Sequence, residues 1–161
     1  MEHHESERTT RKERIDPRLT VAGWTIVGAG DPPVECAAAV EEYSTANGPA
    51  DYALAEGGRI LGVVEAKKLT VGPDGVLTQA ERYSRGIDQT PRYQGEFGVP
   101  FLYSTNGKRV MFHDVRNPLN RSREVSGFHT PGALGEMLGR DLDVGLDHLS
   151  RIPVTEGVRP C

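Results

Sequence analysis

Asp51, Glu65 and Lys67 stand on two apolar stretches, “ADYALAEGGRILGVVEAKK” over residues 50–68, joined through Gly57-Gly58. On a strand, residues two apart share a face, so Glu65 and Lys67 point one way and Ala66 the other. The same alternation assigns Leu61 and Val63 to the Glu65 face, and Gly62 and Val64 to the opposite one. Both faces are apolar until the carboxyl end, which marks a strand buried in the middle of a sheet. In α/β folds that end is where sites gather. A hairpin turning about Gly58 sets Asp51 across from Glu65. A two-residue Gly57-Gly58 loop sets it across from Val64 instead, so a shared site requires an odd-length loop or a bulge. Directly opposed residues have Cβ atoms about 4.5–5.5 Å apart. Two carboxylates that close repel, which raises the pKa of one or calls for a cation between them. Oxygen-only ligands suit magnesium, with manganese as its substitute.

An ammonium beside such a pair completes a tool for cutting phosphodiesters. The ion polarises the phosphate and lowers the pKa of a bound water. Lys67 orients or deprotonates that water, or stabilises charge on the phosphoryl oxygens. Glu-x-Lys alone is a common surface ion pair. The aspartate across a short hairpin is what favours chemistry.

The elements that must hold these groups read as follows. “TTRKERIDPRLTVAGW”, from Thr9, is helical: Ile15, Leu19 and Ala22 recur at helical spacing and Gly23 supplies the stop. Either that helix starts at Asp16 with Pro17 in its first position, or two short helices meet there. Its basic residues, Arg8, Arg11, Lys12 and Arg14, alternate with acids and read as a solvated face. “GWTIVGAGDPP” is a short extended piece and a loop. “ECAAAVEEYS” fits strand or helix, and “TANGPA” closes it with turn residues. After the Gly57-Gly58 hairpin, “VGPDGV” is a loop. “LTQAERYSRGID” is a helix with Val76, Ala80, Tyr83 and Ile87 on one face and Thr78 as its cap. “VPFLYSTNGKRVMFHDV” is a second hairpin about Asn106-Gly107. “NPLNRSREVSGFHTPG” reads as a loop, and “TPGALGEMLGRDLDVGLDHL” as a final helix or two. Helices alternate with strands, which gives an α/β fold with a mixed sheet flanked by helices.

Composition narrows the classes. The 161 residues, 37% hydrophobic and 26% charged, suffice for one domain with a core. Two cysteines, Cys36 and Cys161, rule out a disulfide framework and a four-cysteine zinc site. A reduced, cytoplasmic setting is the default expectation. The charged amino end is unlike a secretory signal, and no apolar run approaches the ~20 residues of a membrane span. A formal charge of −4 argues against gripping DNA by charge alone. “VGAGD” lacks the third glycine and the following helix of a dinucleotide site. “STNGKR” has Leu102 where a phosphate loop needs its first glycine and Arg109 where it needs Ser or Thr. No ATP site is expected. His113, His129 and His148 lack metal-ligand spacing.

The spacing of Asp51 with Glu65-Ala66-Lys67 resembles the PD-(D/E)xK nuclease superfamily. Gln79-Ala80-Glu81-Arg82-Tyr83 fits a Gln-x-x-x-Tyr signature, with Gln79 and Tyr83 one helical turn apart on one face. Together with “IDPRLTVAGW”, “PFLYSTNG” and “FHTPGAL”, these motifs are similar, over nearly the whole chain, to the amino-terminal nuclease domain in the restriction subunit of type I restriction enzymes (HsdR-like). That resemblance implies a restriction-endonuclease-like core over residues 1–150. Residues 151–161 would then be a tail like the start of a linker to a helicase motor, where “EGVRPC” fits the junction. It implies magnesium held by Asp51, Glu65 and the Ala66 carbonyl, a catalytic Lys67, and Gln79 and Tyr83 positioning the site or touching DNA. Glu42 is a further acid nearby, set aside. The implied partners are DNA, a helicase motor and the modification and specificity subunits, with no membrane. Two other functions fit the same fold: a non-catalytic docking module of a helicase complex, and a stand-alone PD-(D/E)xK nuclease.

Overall fold

The computed structural model describes residues 6–67 and 77–146, with residues 7 and 140–146 described as backbone only. Seven strands form one sheet in chain order: β1 (Thr25–Val27), β2 (Ala38–Thr45), β3 (Gly48–Glu56), β4 (Arg59–Ala66), β5 (Phe101–Thr105), β6 (Val110–Asp114) and β7 (Arg123–Val125). β1–β2 and β4–β5 are parallel and the other neighbours antiparallel. The sheet is mixed, as expected, and β4 is its central strand. Parallel strands need a crossover, and between β4 and β5 it carries helix α3 (Leu77–Arg85). The other helices are α1 (Glu7–Thr10), α2 (Asp16–Val21) and α4 (Pro131–Leu146).

Each sheet face has its own core layer. Ile15, Trp24, Tyr52, Tyr103, Phe112 and Leu134 belong to the first, which the amino-terminal helices and α4 cover. Val40, Ala53, Val63 and Leu102 belong to the second, with Leu77 and Ala80 of α3. Among the described residues no helix is long and apolar enough to cross a membrane.

Several elements depart from expectation. An α-helix does start at Asp16 with Pro17 in its first turn, as expected, but Asp16 is not a free-standing cap, because helical backbone runs into it from the amino end. A π-helical segment, Arg11–Ile15, joins α1 to α2, and the Asp16 N–H reaches back to the Arg11 carbonyl. Pro17, which has no N–H to donate, sits in the first turn of α2, and the wider turn ahead of it accommodates that loss. “ECAAAVEEYS” is strand from Ala38, and β2 runs to Thr45 while β3 starts at Gly48, so only Ala46 and Asn47 of “TANGPA” are turn. Thr78 lies inside α3 rather than capping it, and the helix buries Leu77, Ala80 and Ser84. Residues 123–125, read as loop, form the edge strand β7, too short for alternation to reveal. Residues 71–76, the 151–161 tail and His148 lie outside the described residues.

Candidate active site

The β3–β4 hairpin turns through Gly57 and Gly58 at φ +62° and +83°, the positive values that two-residue hairpin loops require. Close to the turn the ladder pairs Glu56 with Arg59 and Ala55 with Ile60. It then shifts, pairing Leu54 with Gly62, Ala53 with Val63 and Tyr52 with Val64. One more residue of β4 than of β3 is used across that step, which is a β-bulge. Continued by one residue, the shifted register sets Asp51 across from Glu65. The shared site needed either an odd loop or a bulge, and the molecule uses the bulge. The same insertion corrects the face assignment of Leu61, which packs in the first core layer with Val64 while Val63 packs in the second. The bulge resets the alternation on its far side.

Past the last Tyr52–Val64 pair, side chains replace ladder bonds. Asp51 Oδ2 accepts a hydrogen bond from the Ala66 N–H at 2.7 Å. The Lys67 N–H donates to the Thr105 carbonyl at 2.8 Å, extending the β4–β5 pairing one residue beyond the strand. Lys67 Nζ lies 3.3 Å from Glu65 Oε1. All three side chains are sheltered: Glu65 is 7% exposed, Lys67 18% and Asp51 19%. Tyr83, on α3, lies within the field of this group. Burial, then the negative charges of Glu65 and Asp51, push its phenol pKa upward, so one ring senses both carboxylates. Gln79 is half-buried one turn earlier on α3. Among the described residues its amide makes no hydrogen bond to Asp51, Glu65 or Lys67.

Arg11 is the group that sequence reasoning missed. It is not part of a solvated face: its side chain is 15% exposed and reaches the middle of β2. Nη1 donates to Glu42 Oε2 at 2.6 Å and Nη2 to Glu41 Oε1 at 3.3 Å, while Nη1 lies 3.7 Å from Asp51 Oδ1. The guanidinium also covers the Tyr52 ring at 5.1 Å, a cation–π distance. Burial alone lowers its pKa, but contacts with Tyr52 and Glu42 and the charge of Asp51 override that and raise it. Lys12 Nζ adds a bond to Glu41 at 2.9 Å. Glu42 has φ +52°, unusual for a residue with a side chain. It stands between residues paired with Tyr52 and Ala50, so it flanks Asp51 from the β2 side. These partners are about 30 positions apart in sequence, and no local pattern announces them.

Two carboxylates and a backbone carbonyl suit magnesium, which is commonly held by one or two carboxylates and keeps several waters. Among the described residues no group of three or more His, Cys, Asp or Glu could hold an ion, so a carboxylate pair is the donor set on offer. The histidines serve elsewhere: His129 Nδ1 meets the Tyr103 hydroxyl at 2.7 Å, and His113 Nε2 the Asn120 carbonyl at 3.2 Å. A cavity of about 340 Å³ beside β6 and β7, lined in part by Asp114, Asn120, Arg121 and Arg123, shares no residue with this group.

Residues 28–138 match the family model of the second domain of the type I restriction enzyme EcoKI endonuclease subunit. The chain belongs to that family. The matched span of this EcoKI-type domain contains Asp51, Glu65, Lys67, Gln79 and Tyr83, whereas Arg11 precedes it. The EcoKI endonuclease subunit of Escherichia coli K12 is 27% identical over 178 aligned positions, covering 79% of this chain. The chain spans only 15% of that relative's length. The same fold occurs in a fragment described as an HsdR subunit of a type I restriction enzyme from Vibrio vulnificus YJ016. The TM-score is 0.65 at 24% identity, covering 87% of this chain and 26% of the other.

Proposed function

We propose that this domain is a magnesium-dependent DNA endonuclease that hydrolyses phosphodiester bonds as part of a type I restriction subunit. The observation that carries this reading is the bulged register, which sets Asp51 opposite Glu65 with the Lys67 ammonium at 3.3 Å from the latter. Membership of an endonuclease-subunit family supports it. Asp51, Glu65 and the Ala66 carbonyl would hold the ion. When bound, the ion supplies electrophilic pull on the phosphate and acidifies a water. Lys67 orients that water or stabilises charge on the phosphoryl oxygens as the P–O bond breaks. Its backbone bond to Thr105 fixes where the side chain starts. Tyr83, and Gln79 one turn before it, hold the DNA strand against the pair from the α3 side.

The cations at the site face its acids, Lys67 against Glu65 and Arg11 against Glu42, Glu41 and Asp51, and the whole chain carries a formal charge of −4. Grip on DNA therefore comes from partners: a helicase motor and the modification and specificity subunits of a cytoplasmic restriction complex. The test is nicking of supercoiled plasmid in magnesium or manganese. Asp51→Asn and Lys67→Ala should each lower the rate by about 10²–10⁴ while melting at the wild-type temperature. Cleavage that persists in both variants removes the assignment.

A further inference from the structure

Ser104 lies beside Glu65 in the parallel β4–β5 ladder. Along β5 the side chains alternate, with Phe101 and Tyr103 in the first core layer and Leu102 in the second. Ser104 therefore continues the second layer, the face of Val63 and Glu65. Its pair on β6, Met111, packs against that same layer. A hydroxyl thus interrupts an apolar row of Val63, Leu102 and Met111, next to the buried acid.

The residue is 0% exposed, and among the described residues its Oγ has no hydrogen-bond partner. Other buried hydroxyls behave differently. Ser84 Oγ donates to the Val99 carbonyl at 2.9 Å and accepts from its N–H at 3.1 Å. Thr105 Oγ1 donates to the Arg109 carbonyl at 2.7 Å and accepts from the Gly107 N–H at 3.0 Å. A desolvated hydroxyl without a partner costs stability that alanine would recover. Such groups persist where function uses them.

We propose that Ser104 is a positioning residue for the ion site: its Oγ–H donates a hydrogen bond to the Glu65 carboxylate when that carboxylate turns to hold a divalent cation. In the structure the Lys67 ammonium lies against one Glu65 oxygen. A ligating carboxylate is itself held by hydrogen bonds from neighbouring groups, and Ser104 is the hydroxyl placed beside Glu65 to supply one. This inference rests on the nuclease reading, since it presumes that Glu65 binds an ion.

The test is calorimetric titration with Mn²⁺, alone and without DNA, paired with metal-free thermal melts. Four proteins are compared: wild type, Ser104→Ala, Ser84→Ala and Asp51→Asn. Ser104→Ala should melt at or above the wild-type temperature without metal yet bind Mn²⁺ about tenfold or more weakly. Ser84→Ala should do the reverse, melting lower with unchanged Mn²⁺ affinity. Ser104→Ala binding Mn²⁺ within about twofold of wild type overturns the inference and leaves the nuclease reading intact. A metal-free Ser104→Ala that melts well below wild type also overturns it, because the hydroxyl would then be structurally bonded. Wild type that binds no Mn²⁺, or Asp51→Asn that binds it as well as wild type does, overturns the ion site itself.

Discussion

The two long hairpins share strand chemistry and a glycine at the tip, yet they do different work. Between β5 and β6 the ladder runs unbroken from Phe101–Asp114 to Thr105–Val110. Polar groups at that tip bind the turn itself: Asn106 Oδ1 accepts from the Lys108 and Arg109 N–H groups at 3.0 and 2.9 Å. Between β3 and β4 the ladder breaks at Leu54/Ala55, and the polar groups lie at the open end, facing one another. An extra residue in a strand re-aims every side chain beyond it. The regular hairpin is therefore scaffold, and the irregular one aims the acids.

Inserting one alanine between Gly62 and Val63 is the strongest way to break that contrast. With the bulge kept, the ladder beyond it would pair Asp51 with Val64 and turn Glu65 to the first core layer, burying a carboxylate among aromatic side chains. Nicking should vanish, and urea denaturation should show a loss of about 3 kcal/mol or more. Deleting Lys108, at the tip of the regular hairpin, should leave nicking measurable. Nicking that survives the insertion refutes the register argument.

A smaller effect is expected from Arg11→Ala, which removes the guanidinium from Glu41, Glu42 and Asp51 without touching the ladder. Hydrogen bonds to charged groups are worth roughly 1.5–3 kcal/mol when sheltered, and Glu42 is 51% exposed. The expected cost is therefore about 1–2 kcal/mol in the same denaturation experiment. It should shrink in high salt, since charge pairs near solvent are screened. An undiminished cost would make packing on Tyr52, rather than charge, the role of Arg11.

The smallest effect concerns the regular hairpin. Burial, then the positive charge of Arg123, hold the His129 pKa below its ordinary value. A depressed imidazole stabilises the fold above its unfolded pKa, about 6.5, and that contribution is lost as pH falls. Denaturation midpoints should therefore drop below about pH 6.5, and His129→Gln should flatten that drop. Because the residue is far in function from the acids, the plasmid-nicking rate of His129→Gln at neutral pH should match wild type.

Much of this was legible because it is local. The hairpins at Gly57-Gly58 and Asn106-Gly107, the central position of β4, and the spacing of Asp51, Glu65 and Lys67 all follow from short-range pattern. The need for an odd-length loop or a bulge also followed from the sequence, but which of the two, and where, did not. Leu61 was consequently assigned to the wrong face, since alternation holds only within an uninterrupted ladder. Arg11 was misread for a different cause. Its acids lie within β2 and β3, and only folding brings the Arg11 side chain to them. No sequence pattern marks Ser104, whose burial and lack of a hydrogen-bond partner among the described residues arise only in the folded sheet.

The bond from the Ala66 amide to Asp51 gives the sheet an unusual selvedge. The rung that finishes the β3–β4 seam is made by an acid's side chain instead of by main chain, so the seam's hem and the acid's aim are a single stitch. A group that binds the other lone pair of that oxygen finds it already aimed, and any fraying of the hem lets the acid swing.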